Sequence, residues 1–238
     1  MATNSLSKQE TPKLPVTDGD SSLTVEVVYQ KIRQRICTLV YPFNTPLREN
    51  ELAIEFGMSR TPIRAVLQRL KADGLIDVRH GVGNIVIAGD RQTFEDTYTL
   101  RIEIAELIGR LSPRLHDENA IDRLEALLTP VKSLRKKFNA DSFWDINENR
   151  HQVVNSIIGN MELAKLHDLY YHKVAPFWFS LVLENPDREV QLLESELEET
   201  VGWMKSGDLK AVAFTHRNHT AYGMLRAQKL LQSQDNKT

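Results

Sequence analysis

The sequence contains a single cysteine, Cys37, among its 238 residues. One thiol cannot form a disulfide within the chain, and because Cys37 falls inside an apolar helical pattern we expect it to be buried. Long apolar runs are also missing. The longest patch, residues 175–183, is interrupted by Ser180 and is far shorter than the roughly 20 residues that span a bilayer. Residues 1–13 lack a charged and then apolar signal segment, so we expect a cytoplasmic protein with no membrane partner.

Sequence motifs for catalysis are sparse as well. We find no glycine-rich loop that would cradle a phosphate, no Ser/His/Asp or Cys/His arrangement at an informative spacing, and no internal repeat. The composition, with 41% hydrophobic and 26% charged residues, is that of an ordinary globular protein. These observations count against an enzyme, and we predict no catalytic residues.

The net charge of −2 hides an uneven distribution. Residues 24–88 carry nine Lys or Arg against six Asp or Glu, a net +3, which leaves about −5 for the rest of the chain. A basic segment on an acidic remainder is consistent with nucleic-acid binding by that segment.

Within the basic segment, residues 47–78 predict two short helices joined by a tight turn. The first helix spans about residues 49–56, and Gly57 follows it where a left-handed conformation often ends a helix. Ser59 offers a side-chain oxygen to cap the second helix, and Pro62 falls in its first turn, where a missing N–H costs little. Apolar residues at spacings of three and four mark the buried face of this second helix; they are Ile63, Val66, Leu67 and Leu70.

The opposite face of the second helix is polar and basic. Arg60 and Thr61 lie at its start, Arg64 follows one turn later and Gln68 another turn later. A recognition helix enters the major groove with its N-terminal residues towards the bases, where Arg and Gln can make bidentate contacts with guanine and adenine. The alternative is an ordinary surface helix that happens to be basic.

The hydrophobic period changes after Gly74. Residues 75–78 and 84–87 are short β-rich runs separated by residues 79–83, which predicts a two-stranded hairpin with a glycine-containing tip. Its glycines allow a close approach of the backbone, and Arg79 and His80 can reach phosphate or the minor groove. A plain hairpin over a small core is the alternative, but the order helix, turn, basic helix and hairpin favours a winged helix-turn-helix.

A further amphipathic helix is predicted before this motif, over residues 24–40, where Val28, Ile32 and Ile36 recur every four residues. Three basic residues lie off that apolar stripe and either touch phosphates or form a solvated face; they are Lys31, Arg33 and Arg35.

Beyond the hairpin the strand pattern disappears. Apolar periodicity predicts six helices with short connections, over residues 92–115, 118–138, 142–158, 161–183, 187–206 and 208–231. Arg217 and Arg226 of the last helix are interpreted as solvated charges. The predicted fold is therefore mostly α with a small β-hairpin. It comprises a flexible tail at 1–22, an N-terminal winged helix-turn-helix at 23–88 and a C-terminal all-α bundle at 92–233.

The stretch from Leu47 to Val86 resembles the N-terminal domain of the GntR family of bacterial transcriptional regulators, and SRTPIRAVLQRL followed by DGLI matches the family pattern nearly position for position. The resemblance implies that the start of the second helix contacts operator DNA and that the hairpin tip forms the wing. Relatives often carry a DNA-contacting Arg where this chain has Asn50, which can still bind a phosphate or a base edge. The residues predicted to bind double-stranded operator DNA are Asn50, Ser59, Arg60, Thr61, Arg64, Gln68, His80 and Gly81.

The helical part resembles the FCD-type effector domain that accompanies this winged helix. The matching stretches are Leu100-Arg101, His151 to Leu163 through Ile158-Gly159-Asn160, and Ser206 to His219. The resemblance implies a homodimeric regulator, more commonly a repressor, whose helical domain binds a small organic acid, often through a divalent metal.

In the family pattern, an Asp lies four residues before a His on one helix, and two further His come from later helices. Here Asn147 and His151 hold the first spacing and His219 fits the last position, but the remaining position falls on Leu197, which cannot coordinate an ion. The candidate metal ligands Asn147, His151 and His219 are thus an incomplete set for Zn, Ni or Mn, and no cofactor is firmly predicted. His216, one turn before His219, is an alternative ligand for the missing position, but a surface histidine is the simpler interpretation.

Without a metal, the same pocket can bind an anion. Arg101 matches a position that faces the ligand's carboxylate in relatives, and a guanidinium suits such a planar, bidentate contact. The predicted effector pocket is made of Arg101, Asn147, His151 and His219; the alternative is a polar stripe on a half-exposed helix.

Two other functional classes remain open from sequence. One is a metal-dependent helical enzyme with a winged-helix appendage. The other is a winged-helix module used only for protein contacts.

Overall fold

The computed structural model describes residues 24–87, 91–115 and 119–235, so the tail predicted at 1–22 lies outside the described residues. The first helix, α1, runs from Val25 to Cys37. Thr24 caps it, because its hydroxyl oxygen accepts a hydrogen bond from the Val27 backbone N–H.

The predicted helix-turn-helix is confirmed by helices α2 (Glu49–Glu55) and α3 (Arg60–Ala72). Gly57 has φ of +61°, the left-handed conformation that turns the chain from one helix into the next. Ser59 occupies the N-cap position of α3, but its side chain makes no capping hydrogen bond, so the predicted cap was wrong.

The hairpin is also confirmed, as strands β2 (Ile76–Arg79) and β3 (Gly83–Val86). A strand that sequence analysis missed, β1 (Pro46–Leu47), pairs antiparallel with β3, so the sheet has the order β1-β3-β2. This strand is only two residues long and depends on a partner almost forty residues away, which leaves no periodic signal in the sequence.

The winged-helix core lies between α1, α3 and the sheet. The apolar stripe predicted on α3 is buried, and it packs with the stripe of α1; the six central side chains are Val28, Ile32, Ile36, Ile63, Val66 and Leu70. This packing leaves the opposite face of α3 in solvent.

The C-terminal part contains six described helices, as predicted. They are α4 (Arg91–Ile108), α5 (Ala120–Leu134), α6 (Ala140–Ser156), α7 (Met161–Glu184), α8 (Pro186–Ser206) and α9 (Leu209–Asp235). Helix α4 ends at Ile108, earlier than predicted, and the chain turns at Ser112, which has φ of +55°. Gly109 lies against α9, where a Cβ would come within 2.9 Å of the Lys210 Cα. The chain then crosses to the α6–α7 connection, where Pro113 pairs with Ile158.

Helix α7 is central to this domain and contacts α1, α4, α6, α8 and α9. Its contact with α1 and with Phe43, in the loop after α1, joins the winged helix to the helical domain. Arg33 Nη1 lies 3.3 Å from Asp168 Oδ2, the Cys37 thiol donates to the His172 carbonyl at 3.5 Å, and the Phe43 and Phe177 rings are 5.4 Å apart. The buried thiol predicted at Cys37 is confirmed. Among the described helices, none is long and apolar enough to cross a bilayer.

The close contact at Gly159 gives a test of this packing. A Cβ on Gly159 would lie 2.1 Å from the Ser112 carbonyl oxygen, whereas a Cβ on Gly202, in the interior of α8, would meet no atom within 4 Å. We expect Gly159→Ala to lower the free energy of unfolding by roughly 1–3 kcal/mol because backbone must shift. Gly202→Ala should raise it by about 0.5–1 kcal/mol because alanine favours the helix. Urea titrations followed by circular dichroism measure both values, and equal effects would contradict the described packing.

Candidate functional site

The exposed face of α3 carries four of the residues predicted to bind DNA. Arg60, Arg64 and Gln68 recur every four residues and therefore share one side of the helix, and Thr61 lies beside Arg60 at its start. All four side chains are exposed. Because the opposite face of α3 is buried in the core, this polar face is held in a fixed orientation in solvent, as on a helix that enters a DNA groove.

Arg64 is held by a bidentate ion pair with Glu49 at the start of α2. Its Nε donates to Glu49 Oε1 at 3.1 Å and its Nη2 donates to Oε2 at 2.9 Å. This hydrogen bonding lowers the pKa of Glu49. Arg60, one turn earlier, has no ion pair within the described part of the chain. The two arginines therefore differ: one is oriented by a carboxylate and the other is free to reach an anion.

The remaining predicted DNA contacts lie at the start of α2, at the start of α3 and in the hairpin. Asn50, Ser59, His80 and Gly81 are all exposed. Gly81 has φ of +77°, so the tip turns through a conformation that suits glycine. Sequence analysis thus found surface positions on three separate elements.

The basic residues of α1 do not form the solvated or phosphate-facing group considered from sequence. Arg33 is only 8% exposed and pairs with Asp168 of α7, while Arg35 pairs with Glu55 of α2. Lys31 stays exposed. Arg33 therefore serves the contact between the domains.

A cavity of about 80 Å³ lies inside the helical domain, and we call it the Arg101 cavity. A buried water needs roughly 10–15 Å³ of such space, so the cavity would hold about six waters or a small molecule. Its polar lining includes three of the predicted pocket residues and several that sequence analysis missed; the polar residues are Arg101, Asn147, Arg150, Glu189, Glu196, His219, Thr220 and Arg226.

Arg101 differs from the other arginines of this cavity because none of the described residues gives it a carboxylate partner. It is 5% exposed, and its Nε is a buried donor without a hydrogen-bond acceptor. Its guanidinium carbon lies 5.4 Å from the centre of the Tyr171 ring and 5.9 Å from that of Tyr98. Burial lowers the pKa of Arg101, a sign that its charge is poorly solvated.

The other two arginines are neutralised by acidic residues of α8. Arg150 Nη1 donates to Glu196 Oε1, and Arg226 binds Glu189 through two hydrogen bonds of 2.9 and 2.8 Å. The interpretation of Arg226 as a solvated charge was therefore wrong. Although burial opposes it, Arg150 lowers the pKa of the Glu196 carboxyl to about 2, so both partners stay charged.

The residues at the family's metal positions do not suit a divalent ion. The Asn147 amide donates to the Tyr171 hydroxyl at 3.0 Å and its carbonyl oxygen accepts from Arg150 Nε at 3.3 Å. Leu197 is fully buried in the hydrophobic core. His219 Nε2 faces Glu199 Oε1 at 3.4 Å.

His151 lies behind the cavity wall. Its ring stacks on Tyr171, with the ring centres 3.7 Å apart, and its Nε2 lies 3.1 Å from Asp168 Oδ1. Burial, with the nearby charges of His172 and Arg101, holds the pKa of His151 well below its ordinary value, so the ring is neutral. The structure therefore separates His151 from the three other predicted pocket residues, which line the cavity.

Two further histidines, His167 and His216, are buried in this domain, and sequence analysis did not predict that they meet. His167 Nε2 lies 3.1 Å from His216 Nε2, and His216 Nδ1 lies 3.2 Å from Glu196 Oε1. Burial lowers the pKa of His216 to about 4. The interpretation of His216 as a surface histidine was wrong; its position one turn before His219 was the only signal in the sequence.

Two family profiles match the chain and together cover most of it. The profile described as "Bacterial regulatory proteins, gntR family" matches residues 24–86, and the FCD domain profile matches residues 96–221. Both matches agree with the two domains of the structure.

The curated relatives that match this chain are named as transcriptional regulators. An HTH-type transcriptional regulator of Streptomyces ambofaciens is 34% identical over 135 residues, which are 56% of this chain and 56% of that protein. The gluconate operon transcriptional repressor of Bacillus subtilis is 28% identical over 123 residues, 52% of this chain and 50% of that protein. The chain thus aligns with about half the length of these relatives.

A solved structure extends the likeness over the whole fold. The chain superimposes on E. coli McbR/YncC with a TM-score of 0.71 at 17% identity, over 88% of this chain and 97% of that one. At this identity the likeness shows the fold alone. The matching families and relatives are transcriptional regulators and not enzymes. The chain belongs to the GntR family of bacterial regulatory proteins and carries a C-terminal FCD domain.

Proposed function

We propose that this regulator is a homodimeric repressor whose affinity for its operator changes when a small organic acid binds in the Arg101 cavity. The observation that carries the proposal is the buried Arg101 guanidinium, which faces a cavity and has no carboxylate partner among the described residues. A ligand carboxylate would supply the missing counter-ion through a planar, bidentate contact.

The rest of the cavity provides hydrogen-bonding groups for such a ligand. Asn147, His219 and Thr220 line it beside Arg101, and Tyr171 forms an aromatic wall. Its volume of about 80 Å³ restricts the ligand to a small acid. Such an acid alters DNA binding only to the extent that it prefers one arrangement of the protein over another.

Operator recognition is assigned to the exposed face of α3 together with the start of α2 and the wing. Arg60 and Arg64 are suited to guanine, and Gln68 is suited to adenine. A dimer with two-fold symmetry would place two such helices on two half-sites of a pseudo-palindromic operator.

Two observations support repression and dimerisation. The Bacillus subtilis relative is named as a repressor. Helix α9 exposes Phe214, Tyr222 and Leu225, which are 51%, 63% and 53% exposed and lie on one side of the helix. Large apolar side chains grouped in this way are typical of a protein interface.

The DNA assignment is tested by replacing the two arginines of α3. We expect Arg60→Ala and Arg64→Ala each to weaken specific binding by about 1–3 kcal/mol, because each removes a base or phosphate contact at the N-terminal half of the helix. The probe is a duplex that the wild-type protein selects from a random pool, and binding is followed by fluorescence anisotropy.

Arg110→Ala is the matched control for the loss of one positive charge. Arg110 is exposed in the helical domain, where it makes only a long ion pair with Glu106 at 3.7 Å. It should bind the selected duplex like the wild type. Unchanged binding by the Arg60→Ala, Arg64→Ala double variant would refute the recognition-helix assignment.

The effector assignment is tested with Arg101→Met, which keeps a similar length but removes the charge. Without ligand we expect this variant to be more stable by up to about 2 kcal/mol, because it removes a buried charge that has no counter-ion. With a panel of small carboxylic acids, the wild type should gain stability from its ligand as its concentration exceeds Kd. Arg101→Met should lose that gain.

Thermal unfolding across the acid panel measures both effects, with Arg110→Met as the charge-matched control. An acid that stabilises the wild type and Arg101→Met equally would place the ligand elsewhere. A less stable ligand-free Arg101→Met would show that Arg101 is satisfied within the protein.

The dimer interface is tested by adding charge to α9. We expect Tyr222→Glu with Leu225→Glu to convert the dimer into a monomer, because two carboxylates would have to be buried in the interface. Sedimentation equilibrium measures the mass, with Leu183→Glu, at another exposed apolar position, as the control. A wild-type monomer, or a dimer that both α9 substitutions leave intact, would contradict the proposed interface.

A further inference from the structure

We propose that His151, Asp168 and His172 form a binding site for a divalent transition-metal ion, with Zn²⁺ as the best-suited ion. This site differs from the set Asn147, His151 and His219 inferred from the family resemblance. It lies between α6 and α7, at the contact with α1, and outside the lining of the Arg101 cavity.

The three side chains converge on one point. Each offers one ligand atom, and these atoms all lie within 4.8 Å of one another. His151 Nε2 is 3.1 Å from Asp168 Oδ1, and His172 Nδ1 is 3.5 Å from the same oxygen. Ligands about 2.0–2.1 Å from a tetrahedral zinc ion are separated by roughly 3.3 Å, so the distances from Asp168 to the two histidines already suit the ion. The two histidine nitrogens, within 4.8 Å of each other, would have to adopt the same separation.

The helices explain this convergence. Asp168 and His172 are four residues apart on α7 and therefore share one face, and that face meets His151 of α6. Both histidines are buried, whereas 40% of the Asp168 side chain is exposed. The exposed edge at Asp168 gives an ion a way in and leaves room for water in the fourth coordination position.

Outer partners complete the arrangement. His172 Nε2 lies 3.2 Å from Glu148 Oε2, and Arg33 Nη1 lies 3.3 Å from Asp168 Oδ2. A carboxylate on the distal nitrogen of a ligating histidine fixes the ring and raises its basicity. Without metal, the His172 Nδ1–H donates to the Asp168 carbonyl at 2.8 Å, and Glu148 Oε2 accepts no hydrogen bond from a described residue. Metal binding would break the Nδ1 hydrogen bond and place the proton on Nε2, beside Glu148, so that the Nδ1 lone pair faces the ion.

The local charges also favour a cation. Two carboxylates, Asp168 and Glu148, lie at the two imidazoles, and the Arg33 guanidinium pairs with one of them, while Arg101 acts on His151 from the cavity side. The other ring nitrogen of His151, Nδ1, has no hydrogen-bond partner among the described residues, so His151 lacks an outer carboxylate like the one that Glu148 places near His172. We therefore expect micromolar affinity, weaker than that of a structural zinc site.

The test is a zinc titration of the full chain, untagged and stripped with EDTA, against a chromophoric zinc chelator. We expect one Zn²⁺ per chain at micromolar Kd. Co²⁺ in place of Zn²⁺ should give the visible absorption of a four-coordinate site with nitrogen and oxygen ligands. Absence of stoichiometric binding by the folded wild type would overturn the proposal.

Variants locate the ion. Asp168→Asn and His172→Gln should each weaken binding by about 100-fold or more, and Glu148→Gln by about tenfold, because Glu148 acts through His172. His219→Gln is the matched control, which should bind within about twofold of the wild type. If His172→Gln fails to fold, as judged by circular dichroism, Asp168→Asn decides the outcome because Asp168 is half-exposed and its replacement has nearly the same shape. Loss of binding in His219→Gln with full binding in Asp168→Asn would assign the metal to the family positions and refute this site.

Discussion

The contact between α1 and α7 is the constraint on which the arrangement of the two domains depends. One face of α1 packs into the winged-helix core through Val28 and Ile32, and the other side meets α7 through the Arg33–Asp168 ion pair and the buried thiol of Cys37. Because both faces of α1 are engaged, helix α3 has a defined orientation relative to the helical domain.

The same helix, α7, connects the proposed effector cavity to that contact. Tyr171 lines the cavity opposite Arg101 of α4, and Asp168, about one turn earlier on α7, faces Arg33 of α1. A ligand that moves the Arg101 guanidinium would disturb its packing against Tyr171 of α7. If α7 were displaced as a result, its contact with α1 would be strained. A continuous set of contacts from the cavity to α1 does not by itself produce regulation. The ligand must also bind one arrangement of α7 more tightly than another.

Local patterns in the sequence predicted the elements, whereas long-range contacts had to be seen in the structure. The apolar stripe of α3 is a local pattern that gave both the buried face and the exposed Arg60 and Arg64. Strand β1 and the partner of Arg33 depend on residues far along the chain, and neither has a periodic signature. His216 was misjudged for the same reason: one spacing on α9 could not show that Glu196 and His167 face it.

The charges around the Arg101 cavity narrow the class of ligand within the proposed function. Three arginines and two carboxylates line the cavity. Two of the arginines are paired with those carboxylates, Arg226 with Glu189 and Arg150 with Glu196. One positive charge is therefore left, at Arg101. A monocarboxylate would neutralise it without breaking another pair, whereas a second ligand carboxylate would have to displace Glu189 or Glu196 and leave that group buried and unpaired. Because the latter cost is large, the cavity should discriminate between monocarboxylates and dicarboxylates through charge balance, and hydroxyl groups on the acid would find partners in Asn147, His219 and Thr220.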